Sequence, residues 1–187
     1  NTKGAATSML AGASVTEDVY GIQIVVVGGF TAVNVRRFLA DLLIDPAGGT
    51  SWTTIINNLA FGGPAWIQSG YKYYFPLYLK SGTSIGMQQQ CTTAAIAFRA
   101  GVKLFGKPSR PDKVNCGTKV ETFGATTASS SGTSITPGNG AMGSYTASLG
   151  TTASDLWWWQ WGGILTNDTT LTPQKGVMGE VACGDAT

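Results

Sequence analysis

The sequence predicts an all-β protein, an antiparallel β-sandwich with a jelly roll as its leading topology. Three observations carry this. Apolar residues recur at every second position in several separate stretches, which is the period of strands with one buried face. Turn chemistry separates those stretches roughly every 8–15 residues. No stretch gives a convincing helix. The length of 187 residues fits one domain with a sizeable core. The expected division is an N-terminal arm over 1–14 and a single sandwich over 15–187.

The clearest unit is Tyr71 to Gln90. Tyr73, Phe75, Leu77 and Leu79 form one face, and Lys72, Tyr74, Pro76, Tyr78 and Lys80 form a face that can end in water. Ser81-Gly82-Thr83 turns the chain, with Gly82 free to take a positive φ. Ile85 and Met87 then alternate with Ser84, Gly86 and Gln88. The expectation is a hairpin, with the strands Tyr71–Leu79 and Ile85–Cys91 antiparallel and adjacent. Pro76 cannot donate to a ladder, so its donor side should face an edge or a bulge.

The other elements follow in chain order. Asn1 to Ser14 is small and polar and reads as an arm or a loose first strand. Tyr20 to Val27 is apolar on both faces towards its end, so it should be a central strand closed by Gly28-Gly29. Val35 to Ile44 fits a helix or a strand. Its shortness, the turn at Asp45-Pro46-Ala47-Gly48-Gly49 and its flanking strands favour a strand. Ser51 to Leu59 is a β-branched strand. Phe61 to Gly70 reads as a loop whose Phe61 and Trp66 fold back onto the core. In Thr93 to Phe105, Ala94, Ile96, Phe98, Ala100, Val102 and Leu104 share one face. Val120 and Phe123 mark a short strand. Ala125 to Gly143 is a long polar loop, of the kind that is mobile or used for contacts. Trp157–Leu165 and Val177–Val181 complete about nine strands, the pattern of a sandwich.

Charged residues make up only 12% of the chain, against roughly 25% in an average soluble domain. Net charge is +2. The densest basic cluster, Lys103, Lys107, Arg110 and Lys113, is broken by Pro108, Pro111 and Asp112. It reads as a solvated loop, and no nucleic-acid partner is expected. No apolar run reaches the length of a membrane span. The start at Asn1 without a methionine reads as a processed form or as the ordered part of something longer.

The chemistry is mostly negative. There is no histidine, so neither a Ser-His-Asp nor a Cys-His site can be assembled. Cys91, Cys116 and Cys183 lack metal-ligand spacing and make a poor disulfide framework. A Cys91–Cys116 bridge is compatible with the sequence, but nothing demands one. The paired glycines match no nucleotide-binding loop. Asp41 and Asp45 could form a carboxylate pair of the glycosidase kind, but capping of the turn explains Asp45 fully. Asp45, Asp168 and Asp185 are the residues to consider for calcium, without a dense oxygen cluster. No catalytic residue, cofactor or metal is expected. Asn167-Asp168-Thr169 is a formal glycosylation sequon and no more.

The most unusual tract is Leu156-Trp157-Trp158-Trp159-Gln160-Trp161. On a strand, Trp157, Trp159 and Trp161 share one face and Trp158 takes the other. Burial within the domain, a subunit or partner interface, and a platform for sugar rings are the three readings. The candidate interface residues are therefore Trp157, Trp158, Trp159 and Trp161.

The stretch YYFPLYLKSGTSIGMQQQ resembles a pattern in virion proteins of tailed bacteriophages, where an aromatic-Pro-Leu strand leads into a small-residue turn. Asn1-Thr2-Lys3-Gly4, Ile44-Asp45-Pro46-Ala47-Gly48-Gly49 and Asp168-Thr169-Thr170-Leu171-Thr172 resemble the same set, and together they span most of the chain. The Trp tract departs from it. The resemblance implies a β-sandwich component of a phage particle and not an enzyme, and it transfers no functional residues. The expectation is a capsid cement or decoration protein in the virion, in contact with the major capsid protein or other virion proteins. It should self-associate, with a homotrimer preferred. The alternative is a receptor- or carbohydrate-binding module of a tail fibre, with a glycan as partner.

Overall fold

A computed structural model describes residues 2–27, 36–63, 71–92, 98–107, 115–129, 133, 149–156, 158 and 160. The chain divides into two compact units, Asn1–Thr133 and Ser134–Thr187. The strands described here all lie in the first. They are β1 (Thr7–Leu10), β2 (Gly21–Val27), β3 (Arg36–Asp45), β4 (Thr53–Gly63), β5 (Tyr71–Phe75), β6 (Ser84–Cys91) and β7 (Arg99–Phe105), with one 3-10 turn at Gly12–Ser14. They form two antiparallel sheets, one ordered β1-β6-β3-β4 and the other β5-β2-β7. This is an all-β sandwich.

Alternation decides which face each strand buries. Ile22, Ile24 and Val26 of the central strand β2 pack against Phe38, Ala40 and Leu42 of β3, Ile56 and Leu59 of β4, and Ile85 and Met87 of β6. An aromatic cluster fills part of this core. Phe38 stacks on Phe61 with centroids 5.1 Å apart, and Phe98 meets both rings edge-on. Val35–Ile44, ambiguous in the sequence, is a strand, because β4 on one side and β6 on the other supply its hydrogen bonds. In β7, Ala100, Val102 and Leu104 turn inward, as their spacing requires.

The expected hairpin is not there. β5 and β6 belong to different sheets, and the chain between them crosses from one sheet to the other. Pro76 breaks the strand where a donor is missing. Beyond it Leu77 and Leu79 make single bridges to Gly117 and Val19. The Ser81-Gly82 turn is held from the same side. The Gly82 amide donates to the Val15 carbonyl at 2.8 Å, and the Ser81 amide donates to Asp18 at 2.9 Å. Gly82 does take the positive φ that its place in the turn suggested, +84°. Crossing over sets Phe75, Leu77 and Leu79 opposite Ile85 and Met87 across the core rather than beside them.

Other boundaries also move. β4 continues through Phe61 to Gly63, so Phe61 is a buried strand residue and not part of a loop. Val120 contributes a single bridge to Ile56, and no strand forms around Phe123. Residues 7–10 form β1, at the edge of the four-stranded sheet. Trp66, Gly28-Gly29 and the strand expected over Val177–Val181 lie outside the described residues. Of the strand expected over Trp157–Leu165, only Trp158 and Gln160 are described, and neither is in a strand.

The outer faces of the two sheets differ. That of the four-stranded sheet is covered. Ala125 and Ala128, from the start of the long polar loop, pack on Leu39 and Ala60, and the Ala128 amide donates to the Gln90 side chain. Trp52 lies over Gly86. A polar row crosses all four strand positions: Lys3 ahead of β1, Gln88 on β6, Asp41 on β3 and Asn58 on β4. One oxygen of Asp41 accepts from Lys3 Nζ and, at 2.8 Å, from the Asn58 amide. The other accepts from Gln88 Nε2 at 2.7 Å. The β3–β4 ladder passes from Ala40–Leu59 to Leu42–Ile56, so Asn57 and Asn58 together oppose Asp41 as a bulge. Asn58 sits at φ +54°, a left-handed conformation that Asn tolerates better than most residues.

The sheets are also tied across the core. Tyr73 of β5 donates its hydroxyl to the Ala60 carbonyl of β4. Burial, followed by the neighbouring Tyr71, pushes the Tyr73 phenol up to about 12. The unfolded phenol titrates near 10. Between those two values the unfolded chain has lost this proton and the folded chain still holds it, so stability falls as pH rises. We expect a loss of roughly 2 kcal/mol across that window. Tyr73→Phe should remove most of this slope and cost about 1 kcal/mol at neutral pH. Urea unfolding followed at pH 7, 10 and 12 checks both.

Candidate interaction face

Among the described residues, nothing comparable covers the outer face of the three-stranded sheet. Its rows follow from the register. Tyr74, Gln23 and Lys103 lie side by side on β5, β2 and β7, and Lys72, Val25 and Gly101 form the row two residues along. On the other side, Phe105 pairs with Gly21. Tyr74 leans over Gly21: a Cβ there would sit 2.6 Å from the phenol oxygen and 3.1 Å from two ring carbons. Only glycine leaves that space. Phe105 meets Tyr74 edge-to-face, with centroids 5.4 Å apart and planes at 82°. Tyr74 is 41% and Phe105 44% exposed. A corner of two aromatic rings therefore stands on the sheet, with Lys72 and Lys103 each two residues from a ring on the same face.

A second pair, Tyr20 and Tyr78, meets edge-on at 5.6 Å. The Tyr78 hydroxyl donates to Asp18 at 3.1 Å. The Ser81 amide and then this hydroxyl hold the Asp18 carboxyl below its usual range, and the same bond to Asp18 pushes the Tyr78 phenol up. Asp18 thus fixes the crossover turn.

The candidates raised by the sequence are placed as follows. Trp158 is described and 42% exposed, and Leu149 and Leu156 of the same unit are exposed as well. Trp157, Trp159 and Trp161 lie outside the described residues. Asp41 and Asp45 have structural work. Asp41 holds the polar row, and Asp45 accepts from the Ala47 amide at 2.9 Å and the Ser51 amide at 2.8 Å, the turn-capping role its place before Pro46 suggested. Asp168 and Asp185 lie outside the described residues. Among the described residues no group of His, Cys, Asp or Glu is arranged to hold a metal.

Cys91 and Cys116 are both half-buried and are not joined to each other, and Cys183 lies outside the described residues. Cys91 packs against the core, and Cys116 lies 3.1 Å from the Tyr20 carbonyl. Burial raises the Cys116 thiol, which lowers its thiolate fraction. Lys103 and Lys107 of the basic cluster are exposed; Arg110 and Lys113 lie outside the described residues.

Sequence reasoning put Lys72, Tyr74 and Tyr78 on a water-facing side but did not find the corner. The alternation on β5 and β7 contained the signal. The missing fact was that both strands flank β2, which only the assembled sheet supplies. Comparison with family models, with characterised proteins and with solved structures returns no match.

Proposed function

We propose that this chain is a structural component of a bacteriophage particle, a capsid cement or decoration protein that stabilises the particle surface through subunit contacts. It acts without a cofactor and without catalysis, as a homotrimer, and it contacts the major capsid protein or its neighbours. The observation that carries the reading is the exposure of Trp158 alongside Leu149 and Leu156 in a chain with so little charge. Large apolar residues left open in this way mark interfaces, whose centres are aromatic-rich and charge-depleted. A closed rotational assembly is the common way to cover them. The phage-like strand and turn motifs support the same reading. A jelly-roll topology is part of it: the unpaired Tyr71–Leu79 and Ile85–Cys91 strands remove the main support the sequence offered for it, but every connection between described strands except β3–β4 changes sheet, as jelly-roll chains tend to do.

Mass spectrometry of purified particles, with copies counted, tests the assignment. Hundreds of copies support a capsid position, and a handful would move the chain to the tail. Absence from the particle overturns the reading. Light scattering at micromolar concentration tests the trimer. Trp158→Ala should weaken association by about 30-fold, the effect of losing an interface anchor worth roughly 2 kcal/mol. A clean monomer, with particle association unchanged in Trp158→Ala, would sink both the trimer and the interface role of the tract.

A further inference from the structure

A different surface carries an inference that does not rest on the virion reading. We propose that the outer face of the β5-β2-β7 sheet binds an anionic carbohydrate chain, with Tyr74 and Phe105 as the stacking corner, Gln23 as a hydrogen-bonding amide and Lys72 and Lys103 as counter-charges. Three features point there.

The first is the corner itself. Two exposed rings at 82° offer a floor and a wall to one saccharide ring, whose C–H faces pack on aromatic surfaces while its hydroxyls stay wet. Tyrosine suits such a half-wet position, having an apolar body and a polar tip. Gly21 keeps the Tyr74 ring low on the sheet, because any Cβ would collide with it.

The second is the polar lining. Gln23 lies in the row between Tyr74 and Lys103, so its amide stands beside the corner. A few placed polar groups around an apolar surface are what orient a small ligand. The lysines stand on the two outer strands, roughly 10 Å apart across β2 from strand spacing alone, and both are exposed. Of the described carboxylates at this end of the sheet, Asp18 is bound to Ser81 and Tyr78, while Glu17 lies beside Gly106, the residue after Phe105. The described charges on the face itself, Lys72, Lys103 and Arg99, are all positive.

The third is size. Two strands of seven residues and one of five span at most about 14 Å by 23 Å, on the order of 300 Å². A stable protein interface needs about 800 Å² per partner. The face is too small for that and ample for two or three sugar rings. Single-stranded nucleic acid is disfavoured too, since successive bases stack on successive platforms and these rings stand perpendicular.

The test uses the full chain and isothermal titration with uronate oligosaccharides prepared from alginate, against neutral dextran oligosaccharides of equal length. Alginate should bind, and more weakly as salt rises. Tyr74→Ala and Lys103→Gln should each weaken binding by at least tenfold, while Tyr74→Phe stays within threefold. Both side chains are exposed, so the variants should melt like the parent. Equal binding of dextran would overturn the anionic preference, and alginate binding unchanged in Tyr74→Ala would overturn the site. A poly-glutamate peptide or an oligo-dT that displaces alginate at equal concentration would overturn the carbohydrate assignment. No binding of alginate at millimolar concentration would overturn it as well.

Discussion

Asp41→Ala should cost roughly 3–5 kcal/mol, the range for removing one partner of a buried ion pair. The Asp41 side chain is 5% exposed, and its two oxygens satisfy three donors from three different parts of the chain: Lys3, the Asn58 amide and Gln88 Nε2. Alanine leaves the Asn58 amide unpaired in the bulge and strands the Lys3 ammonium beside it, although Lys3 keeps one bond to Asn58 Oδ1 at 2.7 Å. Lys3→Met should cost less, about 1–2 kcal/mol, because the lysine is partly exposed and its removal leaves Asp41 with two partners. In a double-mutant cycle by urea unfolding, the two losses should fall well short of adding. Additive losses would mean that the pair is not coupled.

Gly12→Ala should be comparably severe, roughly 3 kcal/mol or more. Gly12, Gly48 and Gly82 meet backbone to backbone where the 3-10 turn, the β3–β4 turn and the crossover turn converge. A Cβ on Gly12 would lie 2.1 Å from the Gly82 carbonyl oxygen and 2.8 Å from the Gly48 Cα. Those are main-chain atoms and cannot swing aside as a side chain could. The Gly12 amide also donates to Ser84 Oγ at 2.9 Å, so pushing the turns apart breaks this bond too. Gly101→Ala is the control. Its Cβ meets nothing within 4 Å, and melting should shift little, within about 0.5 kcal/mol.

These two sites show how far the sequence could be read. Strand identity was legible because a buried face leaves a mark at every second residue, as in Ile22-Ile24-Val26 and Ala100-Val102-Leu104. Partner choice left no such mark. The turn at Ser81-Gly82 was recognised for its chemistry, and Gly82 behaves accordingly. Yet the same turn serves a hairpin or a passage between sheets, and what decided was Pro76 and the distant anchors Val15 and Asp18. In the sequence Asp41 stood out as one half of a possible carboxylate pair with Asp45. Its role needs the bulge at Asn57-Asn58 and the return of Lys3 from the chain's start, neither of which is local. The aromatic corner was hidden for the same reason, since Tyr74 and Phe105 meet only through β2.

The passage of the chain back and forth between sheets has a consequence for how the protein is made. Of the described strands, only β3 and β4 are joined as neighbours in both sequence and space. Every other ladder pairs strands that are far apart along the chain, and such contacts form only after costly loop closures. β1 docks on β6, and Lys3 completes its bond only on a sheet that already contains β3 and β4. During synthesis β1 therefore leaves the ribosome long before its partner, and residues 7–10 wait unpaired until β6, which ends at Cys91, has emerged.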